Sequence, residues 1–327
     1  MKIITCAGFY NTGSSAVTDF FSEFDNVHSL GETEFKFLQD CDGITALEMN
    51  LIDHPHRHNS GHAIKRFLKA ARFENGNFLS KRYRRFFGDK YMQYTIEYVN
   101  EITDLQSHCF WRGDCIERGE LFYIIDALFT LISSKIRRRW ATSILSLTNE
   151  LNYFTSIDRD HFYAATKRYT SKLLNCFDDG SEFLMIDQLT PPTDINRYFN
   201  YVDDMYVVVV DRDPRDVFLM SKNYPHYYKF PHGVEEFCKW YRIIRKNNDV
   251  PNHRILKVQF EDLIYNYDKT TVKLMDLVGM DESHHVRPLE FFNPQISIKG
   301  TKLWENNFSD EIAYIEKNLP DFLYKYE

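Results

Sequence analysis

Apolar positions along this chain switch between two spacings, and the switches mark its elements. Lys2-Ile3-Ile4-Thr5-Cys6-Ala7 is a β-branched run of strand character that gives way at Gly8 to the polar turn Phe9-Tyr10-Asn11-Thr12-Gly13-Ser14-Ser15. Beyond it, Ala16, Val17, Phe20 and Phe21 recur at helical spacing. The pattern reads as strand, loop, helix. Residues 25–34 are a polar stretch with a short apolar centre, which predicts a second strand. From about residue 61 to residue 177 the period is mostly helical, and the sequence is rich in aromatic and basic residues such as Lys81-Arg82-Tyr83-Arg84-Arg85 and Arg137-Arg138-Arg139-Trp140. Strand character resumes at 182–188 and again at Met205-Tyr206-Val207-Val208-Val209-Val210, which lacks alternation, as does a strand covered on both faces. That run ends in Asp211-Arg212-Asp213-Pro214, where Pro214 suits the first turn of a helix. A last strand is expected at 254–258 and a helix at 269–278, before Gly279.

Strands alternating with helices imply an α/β fold with a central parallel sheet of P-loop-like type, flanking helices and a large helical insertion at about 61–177. At 327 residues the chain is long enough to hold all of this as one domain of residues 1–327. Ligand sites in such sheets lie at the carboxyl ends of the strands, where both the glycine loop and Arg212 are expected.

Charge narrows the partners. With 40 basic and 47 acidic residues the net charge is −7, so no global field attracts nucleic acid or an anionic membrane, and an anionic ligand must be met by local cations. The six cysteines form no C-x-x-C pair, His58 and His62 lack the carboxylate of the helical zinc motif, and no metal is expected. No apolar run is long enough to cross a bilayer, and the N-terminal run lacks a signal-peptide layout, so a soluble cytoplasmic protein is expected.

The loop carries the first chemistry. From Gly8 it reads G-x-x-x-x-G-S-S, a P-loop whose lysine position is filled by Ser14. Glycines turn successive N–H groups toward one point, and a helix starting there adds its positive end, which suits a phosphate or sulfate. Without the lysine, the outer phosphates of a nucleotide triphosphate lack their cation. A serine-capped helix after a glycine turn is the plainer alternative.

Four separated segments then form one pattern. The chain resembles the sulfotransferases that use 3′-phosphoadenosine 5′-phosphosulfate (PAPS). Asn11-Thr12-Gly13-Ser14-Ser15, with Ala16, is similar to that family's phosphosulfate loop, and Val210-Asp211-Arg212-Asp213-Pro214-Arg215-Asp216-Val217 to its 3′-phosphate motif. Gln259-Phe260-Glu261-Asp262-Leu263 is similar to its E-D-L segment, and Ile298-Lys299-Gly300-Thr301-Lys302-Leu303-Trp304 to its late K-G…W loop. The resemblance covers the first 35 or so residues and everything after about 180. It implies donor binding by Asn11 through Ala16, Arg212, Ser221, Lys299 and Gly300, with PAP as product and no metal. Arg212 would meet the 3′-phosphate; its alternative is a surface ion pair with Asp213 or Asp216. Ser221 sits one position farther from the arginine than the family's phosphate-binding serine, at the place after Met220.

Two departures stand out. Asn11 and Gln188 replace cations found in many members, so Asn11 becomes a neutral candidate in the catalytic set, and Lys36, Lys65, Lys81 and Arg82 are candidates for the missing charge. For the base, Glu32 in Gly31-Glu32-Thr33-Glu34 matches the glutamate of the tyrosylprotein branch, with Glu34 and His28 as alternatives. The resemblance implies sulfuryl transfer to a hydroxyl, with a carbohydrate or surface-glycan precursor as acceptor. A P-loop kinase or triphosphatase, and a non-catalytic nucleotide- or glycan-binding module, are the competing functions.

Overall fold

The computed structural model describes residues 1–56, 59–77, 79–110, 117–140, 149–223, 231, 233–246, 251–307 and 309–326, without the side chains of Glu32, Phe110, residues 136–140, Asn149 and Asn223. Two compact units divide the chain: Met1–Gln39 with Leu174–Glu327, and Asp40–Leu173.

The first unit begins with β1 (Lys2–Gly8), α1 (Ser15–Phe21) and β2 (Val27–Glu34). The second unit then holds α2 (Ser60–Asn75), α3 (Lys90–Glu101), β3 (Leu105–Phe110), α4 (Glu120–Trp140), β4 (Asn149–Phe154) and α5 (Arg159–Leu174), whose last residue returns to the first unit. There the chain continues through β5 (Phe183–Asp187), β6 (Met205–Asp211), α6 (Pro214–Asn223), α7 (Val234–Ile243), β7 (Ile255–Gln259), α8 (Tyr267–Val278) and α9 (Asp310–Asn318).

The first unit is built on a five-stranded sheet of order β2-β5-β1-β6-β7. All of its strand pairs are parallel. Ile4, Cys6, Val208 and Val210 pack in one core cluster with Val17, Phe20 and Phe21 of α1 and Leu274, Met275 and Val278 of α8. The intervening residues Thr5, Val207 and Val209 are buried too. Burial on both faces is why β6 shows no alternation in sequence. A second cluster joins Val217 and Phe218 of α6, Phe237 and Tyr241 of α7, and Ile312 and Ile315 of α9.

The second unit is mainly helical, with one addition that periodicity did not indicate. β3 and β4 form an antiparallel pair in which Leu105 lies opposite Phe154 and Phe110 opposite Asn149. Each strand is short, and its partner lies some forty residues away in sequence, so no turn signal between adjacent runs announces the pairing. Inside this unit, the stacked rings of Tyr98 and Tyr169 lie 4.7 Å apart, and their hydroxyls bond to Thr166 and Thr95.

Candidate functional site

The parallel register sets the site. Cys6 lies beside Asp187 and Gly8 beside Val210, so β1, β5 and β6 end together, and the loops that follow them share one edge. A cavity of about 1180 Å³ opens there, lined by the 8–16 loop, the end of β2, Asp187 and Gln188, Arg212 and an apolar wall that includes Met220 and Trp240.

The loop owes its form to its own residues. Tyr10, Asn11 and Gly13 have φ of 79°, 50° and 82°. Thr12 is buried, and its Oγ1 accepts the Phe9 N–H at 3.1 Å, so this side chain holds the turn together. At Gly13 a Cβ would meet Phe260 Cδ2 at 2.4 Å. Gly13→Ala therefore combines an unfavourable φ with a clash against a buried ring, and is expected to cost about 2–4 kcal/mol, read as a lower urea midpoint. The N–H groups of Ser14 and Ser15 precede the first bonds of α1 and donate to no other group among the described residues. Ser14 Oγ accepts from Gln188 Nε2 at 2.9 Å, and Gln188 holds a φ of 55°.

Arg212 follows directly on β6 and is 4% exposed. Its Nη1 donates to Asn11 O at 3.1 Å, Nη2 donates to Gly300 O, and the Phe260 ring lies 4.6 Å from its guanidinium. Nε is buried with no partner among the described residues. Burial lowers the pKa of this group, against the opposing pull of Asp216, Glu261 and Asp213. The surface ion pair considered from sequence does not form, because both carboxylates are engaged elsewhere. Asp213 takes Arg215 Nε at 2.9 Å and Nη2 at 2.6 Å, and Asp216 accepts the N–H groups of Lys302 and Leu303 at 3.0 and 2.8 Å. A buried guanidinium without a carboxylate partner, facing a cavity, is the chemistry of an anion site.

The solved structures to which the chain is similar include sulfotransferases. One is the sulfotransferase domain of the Synechococcus PCC 7002 olefin synthase, at 12% identity and a TM-score of 0.42, covering 100% of this chain and 95% of that one. A second is a sulfotransferase from Mycobacterium avium, at 9% and 0.39, covering 100% and 77%. A third is retinol dehydratase in complex with androsterone and the inactive cofactor PAP, at 13% and 0.35, covering 99% and 82%. No family profile and no curated protein matches the sequence.

Around Arg212, the E-D-L segment has a structural task. Glu261 is fully buried; its Oε1 accepts the Asp213 N–H at 2.9 Å, and its Oε2 has no partner among the described residues. Burial pushes its carboxyl up to about 8. A pKa raised on folding means that the native state holds the proton more tightly, so this stability is present below about pH 4.5 and is lost as pH rises through about 8. Glu261→Gln keeps the acceptor for Asp213 and cannot ionise. Its urea midpoint is expected to match the wild type near pH 5 and to exceed it at pH 8.5, by about 2–4 kcal/mol of unfolding free energy.

Other residues predicted for the site are distributed unevenly. Asn11 lines the cavity and gives its carbonyl to Arg212; Ser15, Ala16 and Gly300 line it as well. Lys299 is exposed and outside that lining. Ser221 donates to Phe218 O at 2.6 Å, while its neighbour Met220 faces the cavity. One residue along a helix is about 100° of rotation, so the serine is carried away from the lining. Glu32 lies on β2 with its side chain outside the description; Glu34 lines the cavity and pairs with Lys36, which lines it too. His28 stands at the start of β2, with Nδ1 2.9 Å from Asp179. Lys65, Lys81 and Arg82 belong to the second unit, where Lys65 lies 3.7 Å from Glu150 and Arg82 stacks 3.6 Å from the centre of the Phe73 ring.

Two groups escaped the sequence reading. Asp187, at the end of β5, is buried at the cavity and accepts the Cys6 thiol at 2.8 Å; burial raises its carboxyl to about 6, helped by Glu34 and opposed by Lys36. Arg245 grips Asp211 through Nε and Nη2 at 2.9 and 2.6 Å and lies 4.3 Å from the centre of the Phe9 ring, which ties the loop to the turn that follows α7. Strand-end position could have flagged Asp187. No spacing in sequence signals Arg245. Among the described residues, no three or more His, Cys, Asp or Glu side chains gather as a metal group, and no helix is long and apolar enough to cross a membrane.

Proposed function

We propose that this protein is a PAPS-dependent sulfotransferase that moves a sulfuryl group to a hydroxyl of an acceptor, with a carbohydrate or surface-glycan precursor as the acceptor class. The observation that carries the reading is Arg212: a buried guanidinium at a strand end, with Nε unpartnered and no ion pair among the described residues, beside a loop that presents unpaired N–H groups. The cavity of about 1180 Å³ exceeds the roughly 300–1,000 Å³ of a single-ligand pocket, which leaves room for donor and acceptor together. The loop from Asn11 to Ala16, Arg212 and Gly300 would hold the donor, with Lys299 and Ser221 acting only if their segments shift. When bound, PAPS supplies the sulfuryl group.

The chain's own part is binding charge and moving one proton. In the proposed transfer the acceptor's O–H bond would give way to an O–S bond as the sulfur–oxygen bond to the donor's 5′-phosphate breaks and PAP leaves, and the acceptor's proton needs a base. Among the described carboxylates that line the cavity, Asp187 is the one whose shift suits this, since a value near 6 leaves it ionised at neutral pH yet basic enough to take a proton. Glu32 is the second carboxylate proposed, from its place on β2. Asn11 and Gln188 provide neutral hydrogen bonds, and Lys36 is the proposed cation, its charge shared with Glu34. The glycan assignment draws on the aromatic and basic composition of residues 61–177.

The test is a transfer assay with PAPS and a panel of hydroxylated glycans and small alcohols, scored by PAP release and by sulfated product. Sulfated product that appears only with PAPS supports the reading. Tight PAP binding without turnover on any acceptor would replace it with a binding module, and magnesium-dependent phosphate release from ATP would replace it with a kinase or triphosphatase.

A further inference from the structure

Helix α4 (Glu120–Trp140) is inverted for a helix of a lone chain in water. Leu121, Ile124, Ile125, Leu128, Leu131 and Ile132 are between 47% and 73% exposed, whereas Asp126 and Ser133 are buried. A surface helix ordinarily turns its apolar stripe inward and its polar face to solvent. The six apolar positions fall at i, i+3, i+4, i+7, i+10 and i+11, the a, d and e sites of successive heptads, so they form one continuous seam. At these exposures the seam presents apolar surface on the order of 600 Å², the upper end of what a monomer tolerates. A standard interface buries roughly 800 Å² per partner, so the seam comes close to what a stable dimer requires.

Charge and register select the occupant. Glu120 opens the helix, and Lys135, Arg137, Arg138 and Arg139 fall in its last turns. Two copies laid antiparallel bring Glu120 of each within about one helical turn of Lys135 of the other and oppose the two helix dipoles. A parallel pair would gather the basic ends together. In the antiparallel register Leu121 faces the partner's Leu131 and Ile124 faces the partner's Leu128, which closes the pair by a two-fold axis. A helix that lies on lipid needs a solvated, cationic face opposite its apolar one. Here the opposite face carries buried Asp126 and Ser133.

We propose that α4 is a dimerisation helix whose apolar seam is covered by α4 of a second copy of this chain in antiparallel orientation. The proposal is independent of the reaction at the other unit's cavity.

Sedimentation velocity on the full chain, from submicromolar to about 100 µM, tests it. The wild type is expected to pass from monomer to dimer across this range. Leu128→Glu and Ile124→Glu, at exposed positions that leave the far-ultraviolet circular dichroism unchanged, are expected to weaken dimerisation at least about 100-fold. For orientation, Ile124→Cys and Leu128→Cys chains mixed under oxidation are expected to give the mixed disulfide dimer, distinguished by a mass tag on one chain. A wild type that stays monomeric throughout, or a dimer that both glutamate variants leave intact, overturns the proposal. So does a monomer that instead pellets with phosphatidylserine vesicles and loses this in Leu128→Glu, the outcome for a lipid-binding helix. Homodisulfides at position 124 or at position 128 in place of the mixed species would overturn the antiparallel arrangement.

Discussion

Arg212→Ala is expected to remove binding of 3′-phosphoadenosine 5′-phosphate, lowering affinity about 100-fold or more, with the ligand-induced rise in Tm disappearing accordingly. Of the buried guanidiniums at this strand end, Arg215 and Arg245 are paired with carboxylates and Arg212 is in no ion pair among the described residues, and each charge-assisted hydrogen bond it makes to a phosphate would contribute about 1.5–3 kcal/mol. Its cost to the fold is visible in the same geometry. Burial depresses its pKa, and Nε has no partner among the described residues. The bonds to Asn11 O and Gly300 O compensate only in part. An apolar side chain of similar length removes the desolvation cost of this unpaired charge while giving up its two hydrogen bonds, so the two effects offset. Arg212→Met is therefore expected to leave the Tm of the ligand-free protein within about 4 °C of wild type while removing the response to the bisphosphate. Arg212→Lys keeps the charge without the planar fork and is expected to recover only part of the affinity. A thermal-shift titration of all three variants, run beside ATP with magnesium, separates these outcomes. An unchanged response to the bisphosphate in Arg212→Ala would remove the basis of the proposed function.

Asp187→Asn is expected to lower kcat by about 10²–10⁴ with little change in bisphosphate affinity, the range for loss of a general base. In the wild type, kcat/KM should climb with pH and level off above about 6, as the Asp187 carboxyl loses its proton; the variant should lose that limb. Stability runs the other way. A folded-state value raised above the ordinary one of 3.8 means that the contribution is present below that pH and is lost as pH passes about 6. The asparagine keeps an acceptor for the Cys6 thiol and carries no charge to desolvate, so Asp187→Asn should be about 1–3 kcal/mol more stable than wild type at pH 8. A less active and more stable variant is the signature of a buried catalytic carboxylate. If Glu32→Gln abolishes turnover while Asp187→Asn does not, the base is Glu32. If neither does, a carboxylate base is excluded at both positions.

Much of the fold is legible in sequence, because local rules govern it. The runs at 2–7, 182–188, 205–210 and 254–258 became strands β1, β5, β6 and β7; in β6 a β-branched run without alternation suits a strand buried on both faces, whereas the edge strand β7 keeps Lys257 exposed. Pro214 does open α6, and the run after Ser14 does form α1. Gly8, Gly13 and Arg212 could be placed at one sheet edge in advance, because parallel strands joined by helices all end there.

Tertiary structure alone decided what each side chain faces. The sequence could not distinguish a surface ion pair from a buried, unpaired guanidinium at Arg212, because it does not show that Asp213 is taken by Arg215 and Asp216 by the 302–303 backbone. It could not show that Thr12 braces its own loop, that Ser221 turns aside for Met220, or that Arg245 closes on Asp211 from 34 residues away. Asp187 is not singled out from sequence, and its basicity comes from burial away from bulk water, which outweighs the opposing hydrogen bond from the Cys6 thiol. Strand and helix propensity act over a few neighbours, whereas desolvation and pairing are properties of whatever the folded chain brings within a few ångströms. The elements follow from the first kind of rule, and the chemistry proposed for the site from the second.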